Sequence, residues 1–234
     1  MTVAAILAGG SGTRMGSAIP KQFIEIEGIP VIIRSINAFV QNPLTDVCVV
    51  SVGADYVDYT KKLIRTFFGE TENIYVIVGG KSRGGTLKCV LEFLKEKNML
   101  ENTVLLTHDA VRPFINDRII NDNVEAAKKY GACNTCIPAV DTVLLSADGS
   151  FISSVPPRAQ VFHAQTPQSF DAVRLCSLIE KTPEDVFESL TDGCSVFTLH
   201  GEPVFIVRGE SYNIKITYPD DIIRAKGIIE QYYN

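Results

Sequence analysis

The sequence lacks an excess of basic residues. Its 234 residues include 22 lysines and arginines against 27 aspartates and glutamates, so the formal net charge is −5. A general nucleic-acid binder normally carries a basic surface that follows the phosphates. We therefore expect no nucleic-acid partner, and any anion that the protein binds must be held by a local group of cations.

A long hydrophobic run is also missing. The apolar stretch in MTVAAILAGG is too short to span a bilayer, and no basic segment of the signal-peptide type precedes it. Six cysteines without a signal peptide indicate reduced thiols. These features predict a cytoplasmic protein with no membrane partner.

The histidines and cysteines do not show the common signatures of metal cages or of activated thiols. His108, His163 and His200 are scattered without metal-ligand spacing. The C-x-x-C pair, Cys133 and Cys136, lies in a predicted strand rather than at a helix N-terminus that would activate a thiol. We do not expect a hydrolase triad built on His108. We interpret His108 as structural and the cysteine pair as inert.

What the sequence does contain is an alternation of apolar runs and amphipathic segments, with 46% hydrophobic residues. This alternation is typical of parallel strands joined by covering helices. We predict one α/β domain over residues 1–234, with a doubly wound, Rossmann-like, mostly parallel sheet, because no linker or repeat interrupts the chain. The predicted strands are Val3–Ala8, Val47–Val52, Ile74–Val78, Val104–Thr107, Ala132–Ala139 and Val204–Val207. The predicted helices are Pro30–Val40, Ser82–Glu96, Asp117–Tyr130 and Asp220–Tyr232; Ser82 is the predicted cap of the second and Asp117 that of the third.

Residues 141–165 break this alternation. TVLLSADGSFISSV has the pattern of a strand, a DG turn and a second strand, and Pro156 and Pro157 follow it. Such an arm has no core of its own, so it must pack on the active site or on a second subunit. We therefore predict a protruding β-arm for dimerisation at about residues 141–165.

A glycine-rich loop follows the first predicted strand. In LAGGSGTRMGSAIPKQF, Leu7 to Phe23, the glycines let the backbone approach a ligand and turn its amides toward phosphate oxygens. The spacing does not fit the dinucleotide fingerprint, and GGKS farther along the chain does not fit a Walker A loop. Arg14 and Lys21 can neutralise charge on a triphosphate under attack. Alternatively, both residues are solvated charges on a surface loop.

A second motif, VGGKSRGGT at Val78 to Thr86, lies at a strand end and opens a predicted helix. Amide donors at a helix N-terminus, together with Arg83 and the hydroxyls of Ser82 and Thr86, can hold a phosphate or a base edge. An ordinary N-cap followed by a turn would show the same residues. The motif therefore favours a binding loop only in combination with the others.

The remaining motifs supply one carboxylate and further cations. In THDAVRPF, Asp109 can hold ribose hydroxyls or a Mg²⁺ ion that bridges phosphates, and Arg112 can orient it. Arg158 and Lys215 stand in otherwise apolar or turn-like segments, where an unpaired charge is costly. An anionic ligand would resolve that cost, whereas an exposed strand residue is the alternative for Lys215.

Taken together and in this order, these segments resemble the cytidylyltransferase family that makes CDP-activated polyols. The resemblance spans nearly the whole chain, and the best-known branches act on 2-C-methyl-D-erythritol 4-phosphate and on D-ribitol 5-phosphate. LAGGSGTRMG, THDAVRPF, VPPRAQ and QTPQSF are more similar to the ribitol branch, which serves teichoic acid synthesis. The resemblance thus implies a CTP-dependent enzyme that makes CDP-ribitol and pyrophosphate, with the erythritol substrate of isoprenoid synthesis as the alternative.

The resemblance also implies roles for individual residues. Arg14 and Lys21 would stabilise the transition state at the α-phosphorus, and Arg158 and Lys215 would position the polyol phosphate. Mg²⁺ would be carried by the triphosphate, with Asp109 as its candidate protein ligand. The arm would reach across a homodimer, so that Arg158 serves the site of the other subunit. The implied nucleotide-binding residues are Leu7, Ala8, Gly9, Gly10, Gly80, Lys81, Ser82, Arg83, Gly84, Gly85, Thr86 and Asp109, and the implied polyol-phosphate-binding residues are Thr142, Arg158, Thr166 and Lys215.

Two other functions stay open at this point. A nucleotidyltransferase of the wider sugar-nucleotide class shares the L-x-G-G-x-G-T-R start, but the QTPQSF and NIKIT segments weigh against it. A regulatory module that only binds CTP would not need cations on the side of the leaving group. Transfer itself needs no covalent enzyme intermediate, because the phosphate of the acceptor is already an anionic nucleophile at neutral pH.

Overall fold

The structure is a computed structural model, and it describes residues 1–9 and 19–232. Seven strands of this part of the chain form one sheet in the order β5–β4–β1–β6–β8–β7–β9, and β2 pairs with β3 in a small separate sheet. The strands are β1 (Thr2–Ala8), β2 (Glu25–Ile26), β3 (Ile29–Pro30), β4 (Val47–Val52), β5 (Ile74–Val78), β6 (Val104–Asp109), β7 (Ala132–Pro138), β8 (Phe162–Asp171) and β9 (Phe205–Arg208).

The central strands are parallel and apolar on both faces. β1, β4 and β6 are buried along almost their whole length, which suits strands that are covered by helices on both sides. β1 pairs in parallel with β4 and with β6, and β4 pairs in parallel with β5. The carboxyl ends of these four strands therefore lie at one edge of the sheet, which is where open α/β sheets bind ligands.

β8 runs in the opposite direction. It lies between β6 and β7 and is antiparallel to both, whereas β9 is parallel to β7. The sheet is thus mostly parallel, which confirms the predicted α/β class. The sequence rules do not predict β8, because FHAQTPQSF contains Pro167 and several polar residues. Its buried polar groups have partners, however: Ser169 Oγ donates to Asn123 Oδ1 at 3.0 Å.

Helices connect the strands and cover both faces of the sheet. One cluster of buried side chains joins α1, α2 and α4 to the sheet, and a second joins α3, α5, α6 and α7 to its other face. This arrangement is doubly wound, as predicted. In the described residues the α-helices are α1 (Val31–Val40), α2 (Val57–Phe68), α3 (Arg83–Glu96), α4 (Asp117–Tyr130), α5 (Ala172–Glu180), α6 (Glu184–Ser189), α7 (Cys194–Leu199) and α8 (Asp220–Tyr232).

The starts of α3 and α4 agree only in part with the capping rules. Ser82 caps α3, as predicted, and accepts a hydrogen bond from Gly85 N. The predicted aspartate cap of α4 is wrong, because the side chain of Asn116 accepts from Ile119 N and Asp117 is already helical. None of the described helices combines the length and the apolar character that crossing a membrane requires.

A third cluster of buried side chains places α8 near the carboxyl edge of the parallel strands. It contains Ala225 and Ile229 of α8, Val111 and Phe114 of the loop after β6, and Ile216. Ile216 N also donates to Val111 O at 2.8 Å. The chain between β9 and α8 is therefore held against the loop that carries Asp109.

The cysteine pair lies on β7, and all six cysteines are free thiols. Burial raises the pKa of Cys133 to about 12 and that of Cys136 to about 11. A thiol whose pKa is raised is a poor nucleophile at neutral pH. The geometry therefore agrees with the interpretation of this pair as structural.

The two strands predicted for the arm are replaced, in the described residues, by a turn with a single bridge. Leu145 and Ser154 make an isolated antiparallel bridge, and Asp148 closes the turn by accepting from Ser150 N and Phe151 N. β8 already begins at Phe162, so the predicted end of the arm at residue 165 lies inside that strand. The arm leaves a row of apolar side chains exposed, namely Val140, Leu144, Leu145, Phe151, Ile152 and Val155.

Candidate active site

Two glycine-containing loops meet at the carboxyl edge of β1 and β5. A Cβ atom added to Gly9 would lie 3.3 Å from Thr86 Oγ1 and 3.6 Å from Gly80 O, so the end of the first loop lies against the second. A Cβ atom added to Gly80 would lie 2.4 Å from the carbonyl carbon of Gly85, which is too close for any side chain. Glycine at residue 80 thus allows the loop after β5 to pack on the start of α3.

The hydroxyls in the second loop are engaged within the loop itself. Ser82 Oγ accepts from Gly85 N at 2.9 Å, and Thr86 Oγ1 donates to Ser82 O at 2.8 Å. Lys81 is exposed, and Gly84 packs so closely on Phe187 that an added Cβ would lie 2.9 Å from its ring. These contacts fix the shape of the loop. Arg83 is the charged side chain that the loop directs into the site.

Asp109, at the end of β6, is surrounded by three cations. Arg83 Nη1 contacts its Oδ1, Lys215 Nζ lies 2.9 Å from its Oδ2, and Arg112 Nε lies 3.4 Å from the same oxygen. Burial alone would raise the pKa of Asp109, but Arg83, Lys215 and Arg112 together hold it well below its usual range. The carboxylate is therefore ionised, and positive charge exceeds negative charge in this cluster.

Lys215 reaches this cluster because the segment around it is tied down on both sides. Ile216 is bonded to Val111, and Asn213 O accepts from Arg112 Nη1 at 2.8 Å. The buried amide of Asn213 donates to Thr166 O at 3.0 Å. Lys215 itself keeps 40% of its side chain exposed, so it is paired with Asp109 and still accessible from the solvent. It is not an isolated strand residue on the surface.

His108 lies directly behind the cluster and is completely buried. Its Nδ1 is 3.0 Å from Thr166 Oγ1, and its Nε2 is 2.9 Å from Arg112 O. Burial lowers the pKa of His108 to about 4, so the ring is neutral at physiological pH. The prediction that His108 is not part of a hydrolase triad fits this environment.

Lys21 lies in a short 3-10 helix, Lys21–Phe23, and is 8% exposed. The neighbouring Gln22 donates from Nε2 to Ala8 O at 2.9 Å. This bond brings the distal end of the glycine-rich loop back to the carboxyl end of β1. The predicted site residues Gly10 and Arg14 lie outside the described residues.

Thr142 and Arg158 lie on the arm and are both exposed. Arg158 Nη1 donates to Val140 O at 3.2 Å, within the arm. Within the described residues of this one chain, neither of the two belongs to the hydrogen-bonded cluster around Asp109. The structure therefore brings together Leu7 to Gly9, Gly80 to Thr86, Asp109, Thr166 and Lys215, and leaves the two arm residues apart from them.

Asp109 does not fit the role of a direct Mg²⁺ ligand. Both of its carboxylate oxygens are engaged by cations, and a dication at this carboxylate would meet Arg83, Lys215 and Arg112 at close range. The hydroxyls of ribose are neutral donors and meet no such repulsion. The geometry thus favours the sugar over the metal as the partner of Asp109.

The comparisons with known proteins agree with this geometry. The model of the IspD family, 2-C-methyl-D-erythritol 4-phosphate cytidylyltransferase, matches residues 2–231. The chain belongs to this family. It is therefore a cytidylyltransferase, a nucleotidyltransferase that uses CTP.

Solved structures show the same fold. A 4-diphosphocytidyl-2C-methyl-D-erythritol synthase from Anaerococcus prevotii is 29% identical, with a TM-score of 0.81 over 98% of this chain and 96% of that chain. The 2-C-methyl-D-erythritol 4-phosphate cytidylyltransferase of Francisella tularensis is 24% identical, with a TM-score of 0.78 over 97% and 98% of the two chains. The enzyme of that name from Thermus thermophilus is 23% identical, with a TM-score of 0.75 over 98% and 100%.

Sequence reasoning missed the residues that join the segments of the site. Asn213 donates to Gln165 Oε1 at 3.3 Å as well as to Thr166, and Gln165 Nε2 donates to Glu210 O at 2.8 Å. Both side chains are buried. A signal was present in YNIKIT, where an amide stands in an apolar run two residues before the lysine, but its partners are distant in sequence.

Proposed function

We propose that this cytidylyltransferase joins the CMP part of CTP to 2-C-methyl-D-erythritol 4-phosphate and releases pyrophosphate. Two comparisons support this acceptor: the description of the matching family, and the name of the 29% identical enzyme from Anaerococcus prevotii. The observation that carries the chemistry is the cluster of Arg83, Arg112 and Lys215 around one carboxylate at the ligand-binding edge of the sheet. Excess positive charge at this edge suits two phosphorylated substrates.

In the proposed reaction, a phosphate oxygen of the acceptor attacks the α-phosphorus of CTP. A new P–O bond forms there, the bond between the α-phosphorus and the bridging oxygen breaks, and the electron pair leaves with pyrophosphate. No protein nucleophile is required, so the protein contributes positioning and neutralisation of charge. Mg²⁺ carried by the triphosphate would neutralise part of its charge.

The roles of the site residues belong to the same proposal. Asp109 binds the ribose hydroxyls. Lys215 breaks its ion pair with the Asp109 carboxylate and binds the acceptor phosphate. Arg14 and Lys21 stabilise the pentavalent transition state, and Thr142 and Arg158 add contacts to the acceptor phosphate. The triphosphate and the base are held by the backbone and side chains of Leu7, Ala8, Gly9, Gly10, Gly80, Lys81, Ser82, Arg83, Gly84, Gly85 and Thr86.

D-ribitol 5-phosphate is the second candidate acceptor. The comparisons support it less well than the erythritol substrate, but the four local motifs LAGGSGTRMG, THDAVRPF, VPPRAQ and QTPQSF favour it. Both acceptors are small polyol phosphates with one terminal phosphate. The same cations would therefore serve either of them, and the choice depends on contacts to the carbon chain.

The acceptor is tested by Mg²⁺-dependent pyrophosphate release from CTP with each polyol phosphate separately and with neither. We expect release with 2-C-methyl-D-erythritol 4-phosphate to exceed release with ribitol 5-phosphate. The reverse preference would assign the protein to the ribitol branch and leave the proposed mechanism unchanged. No release above the acceptor-free control with either compound would reject both acceptors.

We also propose that the arm docks on a second copy of this chain. Its exposed apolar row has no core to enter within the subunit, and Arg158 and Thr142 lie on the same arm. If Arg158 serves the site of the other subunit, a mixture of Arg158→Ala and Lys215→Ala proteins contains heterodimers with one intact site. Recovery of about a quarter of the wild-type activity is then expected after subunit exchange. If both separate variants are inactive and the mixture stays inactive, Arg158 acts in its own subunit; an active Arg158→Ala protein would show that Arg158 has no role in the site.

A further inference from the structure

A chain of buried polar groups connects the active-site turn to β8. The turn consists of residues 109–112, and it closes on itself through a bond from Arg112 N to Asp109 O at 3.0 Å. Its first amide, Asp109 N, donates to Thr166 Oγ1 at 3.1 Å. Its last carbonyl, Arg112 O, contacts His108 Nε2 at 2.9 Å, and His108 Nδ1 contacts Thr166 Oγ1 at 3.0 Å. Both ends of the turn are therefore bonded to the same pair of side chains.

The chemistry of the groups determines the direction of each bond. A carbonyl oxygen can only accept, so His108 Nε2 must carry the hydrogen that it donates to Arg112 O. In the neutral ring Nδ1 is then the acceptor, and the Thr166 hydroxyl donates to it. Thr166 Oγ1 receives the hydrogen of Asp109 N with a lone pair. Asp109 N therefore donates to Thr166 Oγ1, Thr166 Oγ1 donates to His108 Nδ1, and His108 Nε2 donates to Arg112 O.

This direction changes the role of Thr166. Its hydroxyl hydrogen is committed to His108, so it is not free to donate to a phosphate oxygen of the acceptor. Instead, Thr166 accepts a hydrogen bond from the backbone amide of Asp109. The carboxylate of Asp109 in turn contacts Arg83, Arg112 and Lys215. Thr166 is 4% exposed, which fits a residue that acts from behind the site.

We propose that His108 and Thr166 are positioning residues of the cytidylyl transfer, which act by clamping the turn 109–112 from inside. The inference rests on the proposed function, in which Asp109 binds the ribose of CTP. Moving a positioned group by about 1 Å lowers catalysis strongly, so a loosened turn is expected to weaken the use of CTP first. A direct contact of Thr166 with the acceptor phosphate would instead change the KM of the acceptor.

Two pairs of variants test the clamp. Thr166→Val keeps the shape and removes the hydroxyl, whereas Thr166→Ser keeps the hydroxyl. His108→Gln keeps a donor near Arg112 O and removes the acceptor for Thr166, whereas His108→Asn keeps an oxygen near the position of Nδ1 and removes the donor to Arg112 O. We expect Thr166→Val and His108→Gln to lower kcat/KM for CTP by about tenfold, the size typical of one lost buried hydrogen bond. Thr166→Ser should stay within about threefold of the wild type because it keeps both bonds of the hydroxyl, whereas His108→Asn loses the bond to Arg112 O and should fall about as far as His108→Gln.

Two results would overturn the proposal. One is a Thr166→Val protein whose kcat/KM for CTP is unchanged while the KM of the acceptor rises. The other is a His108→Gln protein with unchanged kinetics for CTP. The double variant Thr166→Val with His108→Gln should cost less than the sum of the two single effects, because both variants remove the bond between Thr166 and His108. Full additivity of the two effects would show that the residues act separately.

A binding measurement separates this proposal from the proposed function. The dissociation constant of CTP is measured by titration calorimetry on all four variants, with circular dichroism to verify that each is folded. A weaker Kd in Thr166→Val, His108→Gln and His108→Asn, with an unchanged Kd in Thr166→Ser, supports the clamp even if neither polyol phosphate is a substrate. Equal Kd values and equal kinetics in all four folded variants would reject it, whichever acceptor the enzyme uses.

Discussion

Replacing Lys215 with alanine is expected to lower kcat by about a hundredfold or more, which is the usual effect of losing one preorganised donor to the transition state. The ammonium of Lys215 lies 2.9 Å from Asp109 and is still 40% exposed, so it can turn from the carboxylate to an incoming phosphate. Without it, one cation fewer opposes the charge that gathers on the transferring group. The measurement is steady-state pyrophosphate release at saturating CTP and acceptor.

Lys226→Ala serves as the control for this variant. Lys226 is an exposed lysine on α8, and its removal changes the net charge equally. We expect wild-type turnover for Lys226→Ala and the same large loss for Lys21→Ala as for Lys215→Ala. Near-normal turnover in both Lys21→Ala and Lys215→Ala would refute catalysis by charge neutralisation at this site.

Asp109→Ala is expected to lower the free energy of unfolding by about 3 kcal/mol, because it leaves a buried cation without its counter-charge. The side chain of Arg112 is only 11% exposed, and its guanidinium cannot turn into water without breaking its bond to Asn213 O. Arg83 and Lys215 are more accessible, with 27% and 40% of their side chains exposed, so most of the cost falls on Arg112. Urea unfolding monitored by circular dichroism measures the change.

Asp122→Ala is the matched control for the effect on stability. Asp122 pairs with Arg118 at 2.9 Å, but about half of each side chain is exposed. Exposed pairs contribute little, so the free energy of unfolding should change by less than about 0.5 kcal/mol. Equal destabilisation by Asp109→Ala and Asp122→Ala would mean that the buried cluster contributes no more to the free energy of unfolding than an exposed ion pair.

Most of the parallel core could be predicted from the sequence. The runs that became β1, β4, β5 and β6 are apolar and short, and the serine cap of α3 follows a local rule. β8 could not be predicted in this way, because a strand with polar residues and Pro167 is stable only when distant partners accept its polar groups. The aspartate cap of α4 failed by one residue for a similar reason, since Asn116 also bonds to Tyr212 on a distant segment.

The candidate site, too, could be predicted only in part from the sequence. The sequence indicated cations and a carboxylate by residue type, and the resemblance supplied their proposed roles. It could not show that Arg83, Arg112 and Lys215 share one carboxylate, because these residues belong to three segments that are far apart along the chain. The same limit applies to Thr166, because no local pattern indicates that its hydroxyl bonds to Asp109 N and His108 Nδ1.

The sequence by itself determined the α/β class, the glycine-rich loop after the first strand and the membership in a cytidylyltransferase family, since each depends on residue types at short, regular spacings. The tertiary structure decided which charges neutralise one another, which hydroxyls are already committed and where the arm residues lie. These depend on contacts between segments far apart in the chain. Their energies follow from burial and distance, which no local pattern of residues encodes.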